Sequence, residues 1–172
     1  KGKTILSGFI QSNPYWVKSL ENLGNSEAAL GNTDAALGYF EKIIAFKPRY
    51  LPAYFYTGLT YLNMKESEKA LEWFEKLARL NPESDQAYYH IGLCHMMKQR
   101  FRQAEAAFKK ALALNPAREE ARGNLAVLYL KYLNQPEKAF KQMRLYLKDH
   151  PSGKLAKPFL QILNTSPAES SQ

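Results

Sequence analysis

Long apolar runs, cysteine pairs and ligand-dense motifs are all missing from this 172-residue chain. Its one cysteine, Cys94, excludes an internal disulfide and is compatible with a reducing compartment. No apolar run approaches the roughly 20 residues that a membrane-spanning helix needs. No secretory leader is recognisable, and the start at Lys1 reads as a truncated or processed chain. There is no glycine-rich phosphate loop and no His-Glu-x-x-His. His90 and Cys94 stand four apart, with His95 adjacent, but two ligands without a convergent third make a poor metal site. An enzyme needs a nucleophile, an acid/base pair or a metal held in a pocket. None is visible, so no catalytic residue, metal or cofactor is expected. The acid pairs Glu66/Glu68 and Glu119/Glu120 read as helix starts, where carboxylates favour the macrodipole.

The chain is long enough to bury a core, and its apolar content of 45% suits one. Its formal charge of +8 is unevenly placed. Residues 1–97 carry as many acids as bases, whereas residues 98–157 carry a net +9, and Glu169 is the last charge. A basic half of this kind points to an acidic partner, nucleic acid or an anionic surface.

The chain also repeats itself. Prolines stand at 14, 48, 82 and 116, each 34 residues after the last, and Pro151 follows after 35. Between them the same side chains return. The first unit has Leu20, Leu23, Gly24, Ala36 and Phe40. The second has Tyr54, Gly58, Tyr61, Ala70 and Phe74, and the third Tyr88, Ile91, Gly92, Ala104, Phe108 and Ala111. The fourth has Leu125, Ala126, Tyr129, Ala139 and Met143, with one extra residue in its turn near Asn134-Gln135-Pro136. Glycine inside a helix costs about 1 kcal/mol relative to alanine. Gly24, Gly58 and Gly92 therefore imply close helix approach, with Ala36, Ala70, Ala104 and Ala139 as the facing surface. Phe40, Phe74, Phe108 and Met143 are expected to fill space toward the next unit. Each proline ends a helix, because the residue before it avoids the helical region. The turn Gly31-Asn32-Thr33-Asp34 offers a helix stop and a cap. The periodicity predicts helices over 16–30, 33–46, 50–64, 67–80, 84–98, 101–114, 118–132 and 135–149.

In spacing, small residues and closing prolines together, residues 17–151 resemble the tetratricopeptide repeat family, a helix–turn–helix unit of about 34 residues. The family's leading Trp is replaced by Leu20, Tyr54, Tyr88 and Arg122; Glu27 and His95 stand where Tyr is usual, and Ala126 where Gly is. Cys94 and His95 are accordingly read as packing residues. The resemblance implies an all-α fold, a right-handed superhelical solenoid of four repeats over 17–50, 51–84, 85–118 and 119–151. Its concave face would be lined by first helices and its convex face mostly by second helices. Residues 1–14 are expected to be the second helix of a truncated preceding repeat, 152–163 a capping helix disturbed by Pro158, and 164–172 a disordered tail.

Carrying the repeat geometry over, the concave groove should include Glu21, Asn25, Phe55, Leu59, Leu62, Tyr89, Leu93, Met96, Val127, Leu130 and Lys131. It is apolar and aromatic, which suits an extended peptide or amphipathic helix anchored on Phe55 and Tyr89. Some family members hold acidic chaperone C-termini in a Lys/Asn/Arg clamp. Here the matching places are Glu21, Asn25, Gln86 and His90, and only the Asn survives, which argues against that ligand. Arg100, Arg102, Lys109, Lys110, Lys138, Lys141, Arg144 and Lys148 should form a basic convex face for an acidic protein or anionic membrane surface. Nucleic acid is disfavoured, since no recognition motif accompanies the charge. Ile5, Leu6, Phe9 and Ile10 would be available for self-association.

The whole reads as a non-enzymatic protein–protein interaction scaffold in the cytoplasm or at a membrane periphery. Its alternative is a self-assembling, homo-oligomeric scaffold on a membrane or organelle surface, through the amino-terminal helix and the basic face.

Overall fold

A computed structural model of the protein describes residues 15–165. The second helix expected over residues 1–14, with Ile5, Leu6, Phe9 and Ile10, and the tail beyond residue 165 lie outside the described residues. The chain divides into two compact units, Lys1–Ala87 and Tyr88–Gln172. Among the described residues the regular elements are all helical: α1 Tyr15–Ala29, α2 Thr33–Phe46, α3 Leu51–Asn63, α4 Ser67–Leu80, α5 Asp85–Met97, α6 Phe101–Leu114, α7 Glu119–Lys131, α8 Pro136–Asp149 and α9 Ala156–Thr165. The first eight lie within a residue of the expected spans.

Two local devices set these boundaries. The residue before each closing proline, Lys47, Asn81, Asn115 or His150, has φ between −129° and −139°. This extended backbone is what a following proline enforces, and it stops α2, α4, α6 and α8. The turn inside each repeat uses a left-handed residue instead: Gly31, Lys65, Gln99 and Asn134 all have positive φ. Only Gly31 accepts that region without cost. The anticipated side-chain cap at Asn32 does not form. Its carboxamide donates to Glu27 Oε2 at 2.7 Å, one turn back, so the turn is closed by Gly31 and by that bond.

The glycines meet rings. A Cβ on Gly24 would lie 2.6 Å from Phe40, one on Gly58 2.8 Å from Phe74, and one on Gly92 2.5 Å from Phe108. All three phenylalanines are fully buried. Each ring thus plugs the glycine notch of its own repeat, rather than only the space toward the next. Phe40 does both, stacking on Tyr56 of the following repeat at 5.8 Å. In the fourth repeat the notch is Ala126 and the plug Met143, both fully buried in one core cluster. A larger notch residue is matched by a slimmer, more pliable plug.

The place of the family's leading Trp is used for a polar tie. Tyr54 donates to the Pro48 carbonyl at 2.7 Å. Arg122, two repeats later at the same position, donates to the Pro116 carbonyl and lies 3.5 Å from Asp149. A guanidinium can therefore replace the ring there because the carbonyl is the common target.

Helix α9 starts and ends later than expected, so Asn164 and Thr165 are helical rather than part of a tail. Pro158 sits in its first turn, where a missing N–H costs nothing. Phe159 buries its ring against Tyr146 at 5.1 Å. The Tyr146 hydroxyl donates to Glu119 and accepts from the Leu155 N–H at 3.1 Å, holding the 151–155 turn against α7 and α8.

Candidate peptide-binding faces

In the amino-terminal unit the expected groove residues come from α1 and α3. Asn25 and Leu59 occupy the same register position, 34 apart, and both are half-buried, as are Phe55 and Leu62. Phe55 packs edgewise on Tyr56 at 5.4 Å and lies 6.0 Å from Phe74, so its ring is braced from behind. Beside it opens a cleft of about 280 Å³ between the start of α3, Leu77 of α4 and the Asn81–Gln86 segment.

Glu21 does not line an open surface. It is 2% exposed and accepts from Lys18 and from the Tyr50 hydroxyl at 2.6 Å. Burial, then the Glu21 bond, pushes the Tyr50 phenol up to about 12, so Tyr50 stays a donor. This interior tie occupies the place where a clamp would need a cation.

In the carboxy-terminal unit Tyr89, Leu93, Met96, Val127 and Leu130 are brought together: all are half-buried and pack on one core cluster. Leu93 and Val127 continue the register of Asn25 and Leu59. Lys131 is exposed at the end of α7. Tyr89 is more engaged than a bare anchor. Phe108 lies 6.0 Å behind its ring, the Arg118 guanidinium 5.5 Å over it, and its hydroxyl accepts from Asn124 at 3.4 Å. The next register position after Phe55 and Tyr89 is Gly123, where a Cβ would lie 2.5 Å from Leu155. The fourth repeat therefore offers no ring here and is covered by its own chain. Cys94 is fully buried, and among the described residues no group of three or more His, Cys, Asp or Glu could hold a metal.

The basic residues divide into two sets. Arg102 and Lys109 reach Glu105 on α6 at 3.3 and 2.7 Å, and the Tyr129 hydroxyl adds a third donor at 2.9 Å. Glu105 was not recognised from the sequence; its signal is that it stands four residues before Lys109 on one helix. Burial works to raise its carboxyl, but the bonds from Lys109 and Tyr129 outweigh it and hold the group below its ordinary value. The remaining set is plainer. Lys138, Lys141, Arg144 and Lys148 are exposed along one side of α8, with Lys138 5.6 Å over the Tyr129 ring. Lys110 lies similarly over Tyr88, and Arg100 is half-buried at the start of α6.

A carboxyl with a depressed folded pKa stabilises the fold above the unfolded value, and that contribution disappears as pH falls through the folded value. Glu105→Gln should therefore reduce stability at neutral pH and flatten its decline below about pH 4.5. Urea unfolding at a series of pH values checks this; parallel curves for the two proteins would contradict it.

Residues 29–111 match the family model described as anaphase-promoting complex, cyclosome, subunit 3, and residues 95–157 match a model described as tetratricopeptide repeat. Together with the notch-and-plug repeats, these matches fix the family. The chain is a tetratricopeptide repeat protein. Solved structures agree with this repeat fold. A thermophilic TPR protein of Thermus thermophilus shares 26% identity at TM-score 0.73, over 90% of this chain and 85% of that one. A crystal structure of MamA matches at 23% identity and TM-score 0.72, over 83% and 84%. The first TPR of Spaghetti, bound to an HSP90 peptide, matches at 20% identity and TM-score 0.63, over 69% and 94%. Curated protein sequences gave no match. The fold of this TPR protein is thus the all-α helical-repeat solenoid. No described helix is long and apolar enough to cross a membrane.

Proposed function

We propose that this TPR protein is a non-enzymatic scaffold that binds a peptide or amphipathic helix on the surface of its first helices. The observation that carries the reading is the register of half-buried side chains, Asn25, Leu59, Leu93 and Val127, recurring from one first helix to the next. A lining surface has this intermediate exposure, whereas a closed core or a solvated face would not. Each unit has its own anchors: Phe55 and Leu62 in the amino-terminal one, and Tyr89 and Met96, with Lys131 at the rim, in the carboxy-terminal one. The Spaghetti TPR with its HSP90 peptide is a similar fold in that role. The ligand here is of a different kind, because Glu21 stands where an acidic C-terminus would need a cation. Helix α8 carries four exposed bases, Lys138, Lys141, Arg144 and Lys148, against two acids, Glu137 and Asp149, and this net positive charge suits a second, acidic protein partner or an anionic membrane surface.

Peptides selected from a random library against the whole chain provide the test. Truncating a buried aromatic anchor costs about 2 kcal/mol of binding. Phe55→Ala should accordingly weaken a peptide held on the amino-terminal unit, and Tyr89→Ala one held on the carboxy-terminal unit, roughly thirtyfold, while Lys141→Ala leaves both unchanged. Unchanged affinity in folded Phe55→Ala and Tyr89→Ala variants would sink the reading.

A further inference from the structure

The repeat compares two versions of one place. In the carboxy-terminal unit Arg118 lays its guanidinium over the Tyr89 ring, with Glu120 at 3.8 Å. One repeat of 34 earlier, Tyr89 corresponds to Phe55, Arg118 to Ser84, Asn115 to Asn81 and Glu120 to Gln86. The ring, the Asn and the polar residue at the Glu120 place remain, but the long cationic side chain has become a serine. At this place the cleft of about 280 Å³ opens, lined by Leu51, Phe55, Leu77, Asn81, Ser84 and Gln86.

We propose that this cleft takes an arginine side chain of a bound partner peptide, its guanidinium lying over Phe55 as Arg118 lies over Tyr89. The inference rests on the peptide-binding reading and names the residue that the Phe55 face selects.

Three observations favour that occupant. Its walls are apolar and its rim polar, which matches an arginine's methylene stem and hydrogen-bonding head. The rim is held in place: Asn81 Oδ1 accepts from the Glu83 N–H at 3.2 Å and Ser84 Oγ from the Ala87 N–H at 3.1 Å. Each oxygen keeps a second lone pair for an incoming donor. The rim segment Asn81–Gln86 also carries the exposed acid Glu83 and no base, so it complements a cation. Lysine fits less well, since an ammonium neither stacks flat on a ring nor donates as a planar fork. An apolar side chain would dehydrate the rim oxygens without replacing their water.

The test titrates the ¹⁵N-labelled full chain with the pentapeptide Gly-Gly-Arg-Gly-Gly and with its citrulline and leucine counterparts. The arginine peptide should give saturable shifts at the amides of Phe55, Ser84 and Gln86. It should bind about tenfold tighter than the citrulline peptide, which keeps the plane but not the charge. Ser84→Arg supplies the chain's own guanidinium and should weaken the arginine peptide at least about tenfold, with Ser84→Ala as the neutral control. Phe55→Leu keeps the apolar bulk and should remove the preference for arginine over citrulline. Equal binding of arginine and citrulline peptides, or undiminished binding to folded Ser84→Arg, would overturn the assignment. So would the absence of saturable shifts with the arginine peptide. Tighter binding of the leucine peptide at the same amides would also overturn it, while leaving the Phe55 face as a peptide site.

Discussion

Phe108→Ala should lower the stability of the protein by about 3–5 kcal/mol, the range for truncating a buried phenylalanine. The ring is fully buried. It fills the Gly92 notch, lies 6.0 Å behind Tyr89, and shares its cluster with Ala104 and Ala111. Small neighbours cannot collapse into the space it leaves. Equilibrium urea unfolding reads the loss directly; a decrease below about 1 kcal/mol would mean that the ring is not the plug described here.

The same pair permits a sharper version. Gly92→Ala places a methyl 2.5 Å from the ring. Overpacking costs about 1–3 kcal/mol, offset by about 1 kcal/mol of helix propensity. Adding Phe108→Met recreates the Ala126/Met143 combination of the fourth repeat, so the double variant should lose less than the two single losses summed. Strict additivity would contradict a direct fit between notch and plug.

The second large loss is expected from Tyr146→Phe, about 2–3 kcal/mol, because a bond to a charged acceptor and a backbone partner vanish together. The ring stays, so packing on Phe159 is preserved and the change isolates the hydroxyl. Removing it takes the donor from Glu119 and the acceptor from the Leu155 N–H. The Tyr146 bond is the main reason that the Glu119 carboxyl lies below its ordinary value of 4.5, with burial opposing it. Protonating Glu119 is then harder in the folded chain than in the unfolded one. The gap between wild type and variant should be complete at neutral pH and should narrow, to the share carried by the Leu155 N–H bond, as pH falls below about 4.5. Thermal unfolding across that range checks both size and sign; a gap that widens in acid would refute the account.

Much of this fold was legible because its punctuation is local. A proline acts on the residue before it and on nothing further away, so the ends of α2, α4, α6 and α8 could be read from position alone. The glycine notches were legible for the same reason: a mid-helix Gly at 24, 58 and 92 has few other uses. What escaped the sequence depended on side chains meeting across elements. Glu21 shares the register of groove residues, but Tyr50, 29 positions later, draws it inside. Glu105 gathers Tyr129 from another repeat and neutralises part of the expected basic face. Asn32 looked like a cap, yet Glu27 competes for its carboxamide. Pro158 looked like a breaker because its distance from a helix start was not known.

Three interchangeable plugs in three interchangeable notches have a further consequence. Gly24/Phe40, Gly58/Phe74 and Gly92/Phe108 have the same shape, so nothing in the joint itself records which repeat a helix came from. During folding, a second helix could seat in the notch of the wrong repeat, or in that of another molecule, and bury its ring as well. The fourth pair breaks the ambiguity. Phe108 does not fit against Ala126 without crowding, and Met143 underfills a glycine notch. With its longer turn at Asn134, the fourth repeat is keyed differently from the three before it and gives the array one joint that cannot be mistaken for another.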